Sequence, residues 1–99
     1  MSTLEIIKDQ LKLLKPYLKS YFSVNTIEVF GSYVRNEQTK KSDVDILVTF
    51  YEPNDIDLFK FIELRLLLKD KLGINVDLVE KKNLKAIIKD NVLREAIPV

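Results

Sequence analysis

Three aspartates, Asp43, Asp45 and Asp77, are the residues of this chain whose type and spacing point to chemistry. Asp43 and Asp45 stand two apart at the start of the run 44–50, which is β-branched and apolar, lacks Gly and Pro, and is therefore predicted to be a strand. Residues two apart on a strand project from one face, so both carboxylates leave the same side with Leu47, while Val44, Ile46 and Val48 take the other. Asp is depleted in strands. A lone carboxylate inside an apolar run is costly, and two carboxylates aimed at one point repel unless a cation lies between them. The structural alternative puts Asp43 at the head of the strand and Asp45 on an exposed edge. Asp77 repeats the pattern inside Asn75-Val76-Asp77-Leu78-Val79. If the two strands are neighbours, the three aspartates can cluster.

The chain has neither cysteine nor histidine. That excludes disulfides, thiolate or imidazole metal sites, cysteine nucleophiles and histidine triads. Any acid or base is then Asp, Glu, Lys or Tyr. Any metal is a hard cation held by oxygen, magnesium or manganese, which bind substrate phosphates as well as protein oxygens. A pair of such ions about 3.5–4 Å apart suits an in-line phosphoryl displacement. Upstream, Gly31-Ser32 follows the β-rich run 26–30 and precedes a short helical stretch. Glycine permits a tight turn and close approach of a ligand to the backbone. Ser32 either caps the short helix or donates to a phosphate, since amides at a helix start favour an anion.

These residues need elements to hold them. An opening helix is predicted from the capping-box spacing of Ser2 and Glu5 and the apolar stripe Leu4, Ile7, Leu11, Leu14 and Leu18. Pro16 predicts a kink or restart, because it removes a hydrogen bond and crowds the carbonyl of Lys12. Strands are predicted over 26–30, 44–50 and 74–80. Pro53 breaks the chain after the second, Asn54 is the predicted cap of a long helix over 55–72, and Gly73 is its C′ residue. Phe59, Ile62 and Leu66 share one side of that helix, while Leu58, Phe61, Leu64 and Leu68 widen the apolar arc, which predicts a well-buried helix. A more polar helix over 83–96 stops before Pro98. The order α, β, short α, β, α, β, α predicts an α/β (α+β) domain with a small mixed sheet of about three strands flanked by helices.

Ninety-nine residues with 46% hydrophobic content suit one domain spanning 1–99, with a core that needs no disulfide staples. A charged content of 31% and apolar runs far short of about 20 residues exclude a membrane-embedded chain. No secretory leader is visible, and the lack of cysteine fits a reducing cytoplasm, the expected location. The net charge of +1 hides an asymmetry. Residues 43–57 hold five carboxylates and no basic residue, whereas 81–94 hold five basic residues against one acid. The basic stretch reads as a solvated helix face, or as a surface for a phosphate chain or an acidic partner.

Together, Gly31-Ser32, Arg35, Ser42-Asp43-x-Asp45 with the following Ile46-Leu47-Val48, and Asp77 on a later strand resemble the signature of the minimal nucleotidyltransferase (MNT) family, within the DNA polymerase β-like superfamily. The resemblance covers nearly the whole chain and implies a nucleotidyltransferase fold. It implies that Gly31 and Ser32 bind the β- and γ-phosphates of a nucleoside triphosphate, that Asp43 and Asp45 bind two Mg²⁺ ions (or Mn²⁺), and that Asp77 completes the metal site and helps deprotonate the acceptor. Arg35 would sit near the triphosphate or order the loop; its plain alternative is a surface ion pair. Asn36 departs from the family, which often has Gly there, but Asn tolerates left-handed backbone angles.

Stand-alone members of the family resemble the antitoxin half of a toxin–antitoxin system whose partner is an all-helical HEPN protein, usually a ribonuclease toxin. The implied activity is transfer of AMP from ATP to a tyrosine hydroxyl on that partner, in a hetero-oligomer, with neither a membrane nor direct nucleic-acid binding involved. Two other readings stand beside it. One is a nucleotidyltransferase acting on RNA or a small molecule with a second subunit, hinted at only by the stretch 81–94. The other is an antitoxin that neutralises by binding alone, for which three buried carboxylates would be an unexplained cost. Of the remaining residues, Tyr33 and Tyr51 suit base stacking or half-buried packing. Lys40 and Lys41 suit phosphate screening or a solvated loop. Glu52, Asp55 and Asp57 favour a helix start, and Glu80 could lie behind the metal ligands.

Overall fold

A computed structural model describes residues 3–99; the Ser2 half of the capping box lies outside them. Helix α1, Thr3–Phe22, buries Ile7, Leu11, Leu18 and Phe22 and runs through Pro16 without ending or restarting there. Leu11 and Leu18, on either side of the proline, are both buried in the core. Packing of this stripe outweighs the one hydrogen bond the ring removes. Ser23, in the left-handed region, turns the chain into strand β1, Val24–Phe30, two residues longer than predicted. One helical turn follows, α2, Ser32–Arg35, ended by Asn36 at φ 58°, ψ 38°. The asparagine thus adopts the left-handed geometry for which it was expected to substitute.

Strand β2, Val44–Phe50, has its predicted bounds. Helix α3, Leu58–Leu72, starts three residues later than predicted, because Asp57 and not Asn54 caps it: Asp57 Oδ1 accepts the Lys60 amide at 2.8 Å. Asn54 instead closes the preceding turn, accepting from the Ile56 amide and donating to the Tyr51 carbonyl. Gly73 ends α3 at φ 71° as expected, donating to the Lys69 carbonyl. Strand β3, Val76–Glu80, starts two residues later than predicted; an unpredicted 3₁₀ turn at Lys81–Asn83 follows it, and helix α4, Ala86–Glu95, accordingly starts three residues later than predicted.

The sheet has four strands, not about three, in the order β3-β2-β1-β4. The unpredicted strand is β4, Ile97–Pro98, antiparallel to β1 with Val29 opposite Ile97 and Glu28 opposite Pro98. Two residues with a proline carry no period-2 signal, and only an edge position tolerates that proline. β1 and β2 are antiparallel; β2 and β3 are parallel. On one face Ile27, Val29, Val44, Ile46, Val48, Val76 and Leu78 join the α1 and α3 side chains in the main core. Leu47 and Val92 are buried outside that cluster, so β2 carries apolar side chains on both of its faces.

The expectation of a well-buried α3 is only half met. Leu64 and Leu68 are buried and Phe61, Leu67 and Leu72 pack partly against the core, but Leu58, Phe59, Ile62 and Leu66 face outward, Phe59 at 82% exposure. An apolar arc wider than the sheet can cover leaves its outer part in solvent. The two sides should therefore respond differently to truncation. Leu64→Ala should cost about 2–5 kcal/mol of unfolding free energy, and Phe59→Ala should stay within about 0.5 kcal/mol. Urea denaturation of both variants checks this; equal losses would place α3 in the wrong orientation.

Candidate active site

The parallel pairing of β2 and β3 sets Asp45 directly opposite Asp77, and the antiparallel pairing of β1 sets Phe30 opposite Asp45. Residues opposite one another share a face, so Asp45 and Asp77 lie on the face away from Val44, Ile46, Val76 and Leu78. Asp43, one residue before β2, is close enough for its charge to act on Asp45. Asp43 and Asp77 are exposed and Asp45 is half-buried. The expectation of three buried carboxylates is corrected accordingly: only Asp45 bears a desolvation cost, because the other two stand at the rim, where the strands begin.

Burial first, then the charge of Asp77 and a hydrogen bond shared with it, then the charge of Asp43, push the Asp45 carboxyl up to about 6; Arg35 opposes them weakly. Among the described residues no Lys or Arg forms an ion pair with any of the three aspartates. Nor, among those residues, do three acidic side chains already converge as a ligand set. The fit to a divalent cation rests on donor chemistry: oxygen ligands only, clustered negative charge without an ion-paired countercation, and a half-buried carboxyl whose pKa that crowding raises.

Gly31 closes the floor of this cluster. Its φ of 81° and ψ of −154° lie in a region open essentially to glycine alone. A Cβ on Gly31 would overlap the Asp45 carboxylate, standing 2.8 Å from Cγ. The Gly31 carbonyl accepts from the amides of Val34 and Arg35, which starts α2. Ser32 is therefore the first helical residue and not its cap, and among the described residues its hydroxyl has no partner.

Arg35 is engaged by carboxylates: Nη1 donates to Glu95 Oε1 and Nε to Glu37 Oε1, both at 2.6 Å, and these bonds hold its pKa above the ordinary guanidinium value. Glu95 was not legible as a site residue. It lies 64 positions from Gly31, yet its Oε2 accepts the Gly31 amide at 2.7 Å.

The other candidates are placed plainly. Tyr33 is a core residue. Tyr51 is exposed beneath the Lys19 ammonium. Lys40 and Lys41 line a cleft with Ser42, Leu66, Lys69 and Asn75. Glu80 pairs with Lys82, and Asp55 with Lys60. In the basic stretch, Lys81 pairs with Glu28, Lys82 with Glu80 and Glu52, and Arg94 turns back on Asn91.

The crowding of Asp45 has a thermodynamic signature. Its folded pKa lies above the ordinary 3.8, so between about pH 4 and 6 the folded state binds the proton more tightly than the unfolded chain. This stabilising contribution is complete below pH 4 and is lost as pH rises through 6. Discounted for its solvent exposure, it is worth about 1–2 kcal/mol. In chelator, Asp45→Asn should therefore be more stable than wild type at pH 7, and the gap should close toward pH 4. Chemical denaturation at the two pH values reads this directly. A variant less stable than wild type at pH 7 would contradict the repulsion.

Comparison with known proteins agrees with this fold. Residues 11–99 match the nucleotidyltransferase domain family. The protein adenylyltransferase MntA of Thermococcus cleftensis is 50% identical over 99 residues, covering 100% of this chain and 98% of that protein. The solved structure of a minimal nucleotidyltransferase superposes with a TM-score of 0.77 at 33% identity, over 100% of this chain and 97% of that one. A chain of a toxin–antitoxin crystal structure with AMP-PNP superposes at 0.70 with 26% identity, over 90% of this chain and 70% of that one. With the Gly31 turn, the Asp43-x-Asp45 pair and Asp77 on one sheet face, and with these similarities along its length, the chain belongs to the nucleotidyltransferase domain family.

Proposed function

We propose that this nucleotidyltransferase transfers AMP from ATP to a hydroxyl of a helical HEPN-type partner, a tyrosine by preference, and so acts as the antitoxin of a toxin–antitoxin pair. The observation that carries the reading is the juxtaposition of Asp45 and Asp77 in register, with Asp43 beside them and, among the described residues, no Lys or Arg in an ion pair with them. Such a cluster has a use where cations and phosphates meet. The similarity to an MntA protein adenylyltransferase over the full length supports the acceptor class. The similarity to a toxin–antitoxin chain crystallised with AMP-PNP supports both nucleotide and partner. The exposed Leu58, Phe59, Ile62 and Leu66 offer apolar surface for a partner to cover.

Asp43, Asp45 and Asp77 would hold two Mg²⁺ ions, which supply charge neutralisation for the phosphates and acidify the acceptor hydroxyl. The Gly31-Ser32 turn holds the β- and γ-phosphates, with the free Ser32 hydroxyl as donor. Asp77 takes the hydroxyl proton as the acceptor oxygen bonds to the α-phosphorus. The bond from that phosphorus to its β-bridging oxygen breaks, pyrophosphate leaves, and the acceptor carries AMP. Of the five basic residues in 81–94, Lys81 and Lys82 are paired with carboxylates, which leaves Lys85, Lys89 and Arg94 as the part of the stretch that an RNA acceptor could use.

The test is ATP labelled at the α-phosphate, with magnesium, this protein and the product of the adjacent gene. Label should appear on the partner and disappear with Asp43→Asn/Asp45→Asn, a loss of at least about 10³-fold for removed transition-state stabilisation. A confirmed partner that stays unlabelled and is neutralised equally by both forms would establish binding alone and overturn the enzymatic reading.

A further inference from the structure

We propose that Glu95 is a positioning residue that sets the Gly31-Ser32 turn for the triphosphate; this rests on the nucleotide-binding role given to that turn above. One carboxylate makes two short charge-assisted hydrogen bonds, from the Gly31 amide at 2.7 Å and from Arg35 Nη1 at 2.6 Å. Its side chain is only 21% exposed. Its own backbone is fixed from both directions. Glu95 closes α4, where the Ala96 amide donates to the Val92 carbonyl, and the next residues zip onto β1 through Ile97 opposite Val29 and the Val99 amide on the Ile27 carbonyl. β1 is the strand that ends at Gly31. The carboxylate therefore bridges two points that the sheet already holds in register, and it grips the amide of the one residue whose backbone lies in a glycine-only region.

Two roles are open to a carboxylate in this place, and they differ in sign. A gate would occupy the phosphate position and compete with ATP. A positioning group would hold the turn and help ATP. Burial and the Arg35 partner favour the second: the carboxylate is already paired within the protein, and the bonded amide belongs to a buried residue, whereas among the described residues the Ser32 hydroxyl is left free. Glu95 also occupies Arg35, which acts on the loop and not as a free phosphate clamp.

The experiment compares Glu95→Ala and Glu95→Gln with wild type by ATP calorimetry in magnesium, by transfer at saturating ATP, by melting temperature and by exchange of the Gly31 amide in NMR. Glu95→Ala should weaken ATP binding about tenfold and speed Gly31 amide exchange, with transfer at saturation within about twofold. Glu95→Gln, which keeps an acceptor for the Gly31 amide but loses the charge facing Arg35, should be intermediate and keep the amide protected. If the alanine variant does not fold, the glutamine variant decides: weaker ATP binding upholds the proposal and unchanged binding overturns it. Unchanged or tighter ATP binding in a folded alanine variant overturns positioning while the nucleotide reading stands. Failure of wild type to bind ATP sinks that reading and this proposal together.

Discussion

Two aspartates held face to face by a parallel strand pair are the constraint on which the rest of this molecule depends. Asp45 opposite Asp77 is an arrangement that electrostatics opposes and that β2–β3 register enforces. The opposing energies can be compared. The repulsion and half-burial of Asp45 cost about 1–2 kcal/mol after allowance for solvent. Behind the same strand segments, Val44, Ile46, Val76 and Leu78 are buried in the core, each worth about 1.5–3 kcal/mol. Packing on one face thus holds the charges together on the other. The alternation of a β-strand lets a single run of five residues, 44–48, serve both purposes.

The second constraint is space. A carboxylate at position 45 fits only because position 31 lacks a side chain and adopts a backbone that glycine alone tolerates. The Gly31-Ser32 turn and the Asp45 carboxylate are therefore one packing unit. Glu95 extends that unit to the far edge of the sheet. The residue after β1 is tied to the last residue of α4, two positions before β4, so the register of a two-residue edge strand bears on the geometry of the site.

Much of this was legible in the sequence, for identifiable reasons. The Asp-x-Asp spacing encodes a shared face, and β-branched residues around it encode the strand. Gly73 encodes a helix stop, and the element order encodes the fold class. What escaped depended on distance or on competition between similar signals. Asn54 and Asp57 are both good caps, and only the tertiary position of α3 chose the second. The apolar arc of α3 does not announce which part the sheet will cover. Pro98 reads as a terminator and turns out to sit on an edge strand that pairs with residues some seventy positions away. Glu95 carries no local mark at all, because its role exists only once α4 and β1 are adjacent.

Charge balance supports the place given to cations in the proposed chemistry. The face carrying Asp43, Asp45 and Asp77 is negative, and a nucleoside triphosphate adds several further negative charges to it. The guanidinium nearest in sequence to the turn, Arg35, is already bound by Glu37 and Glu95, so it brings no surplus positive charge. The lysines of the cleft beside Ser42 are exposed to solvent, where a charge is well screened and contributes little. Nothing else among the described residues offsets the carboxylates. On the proposed reading, divalent cations would neutralise the carboxylates and the triphosphate at once, so nucleotide affinity is expected to depend steeply on magnesium and only weakly on any single basic side chain.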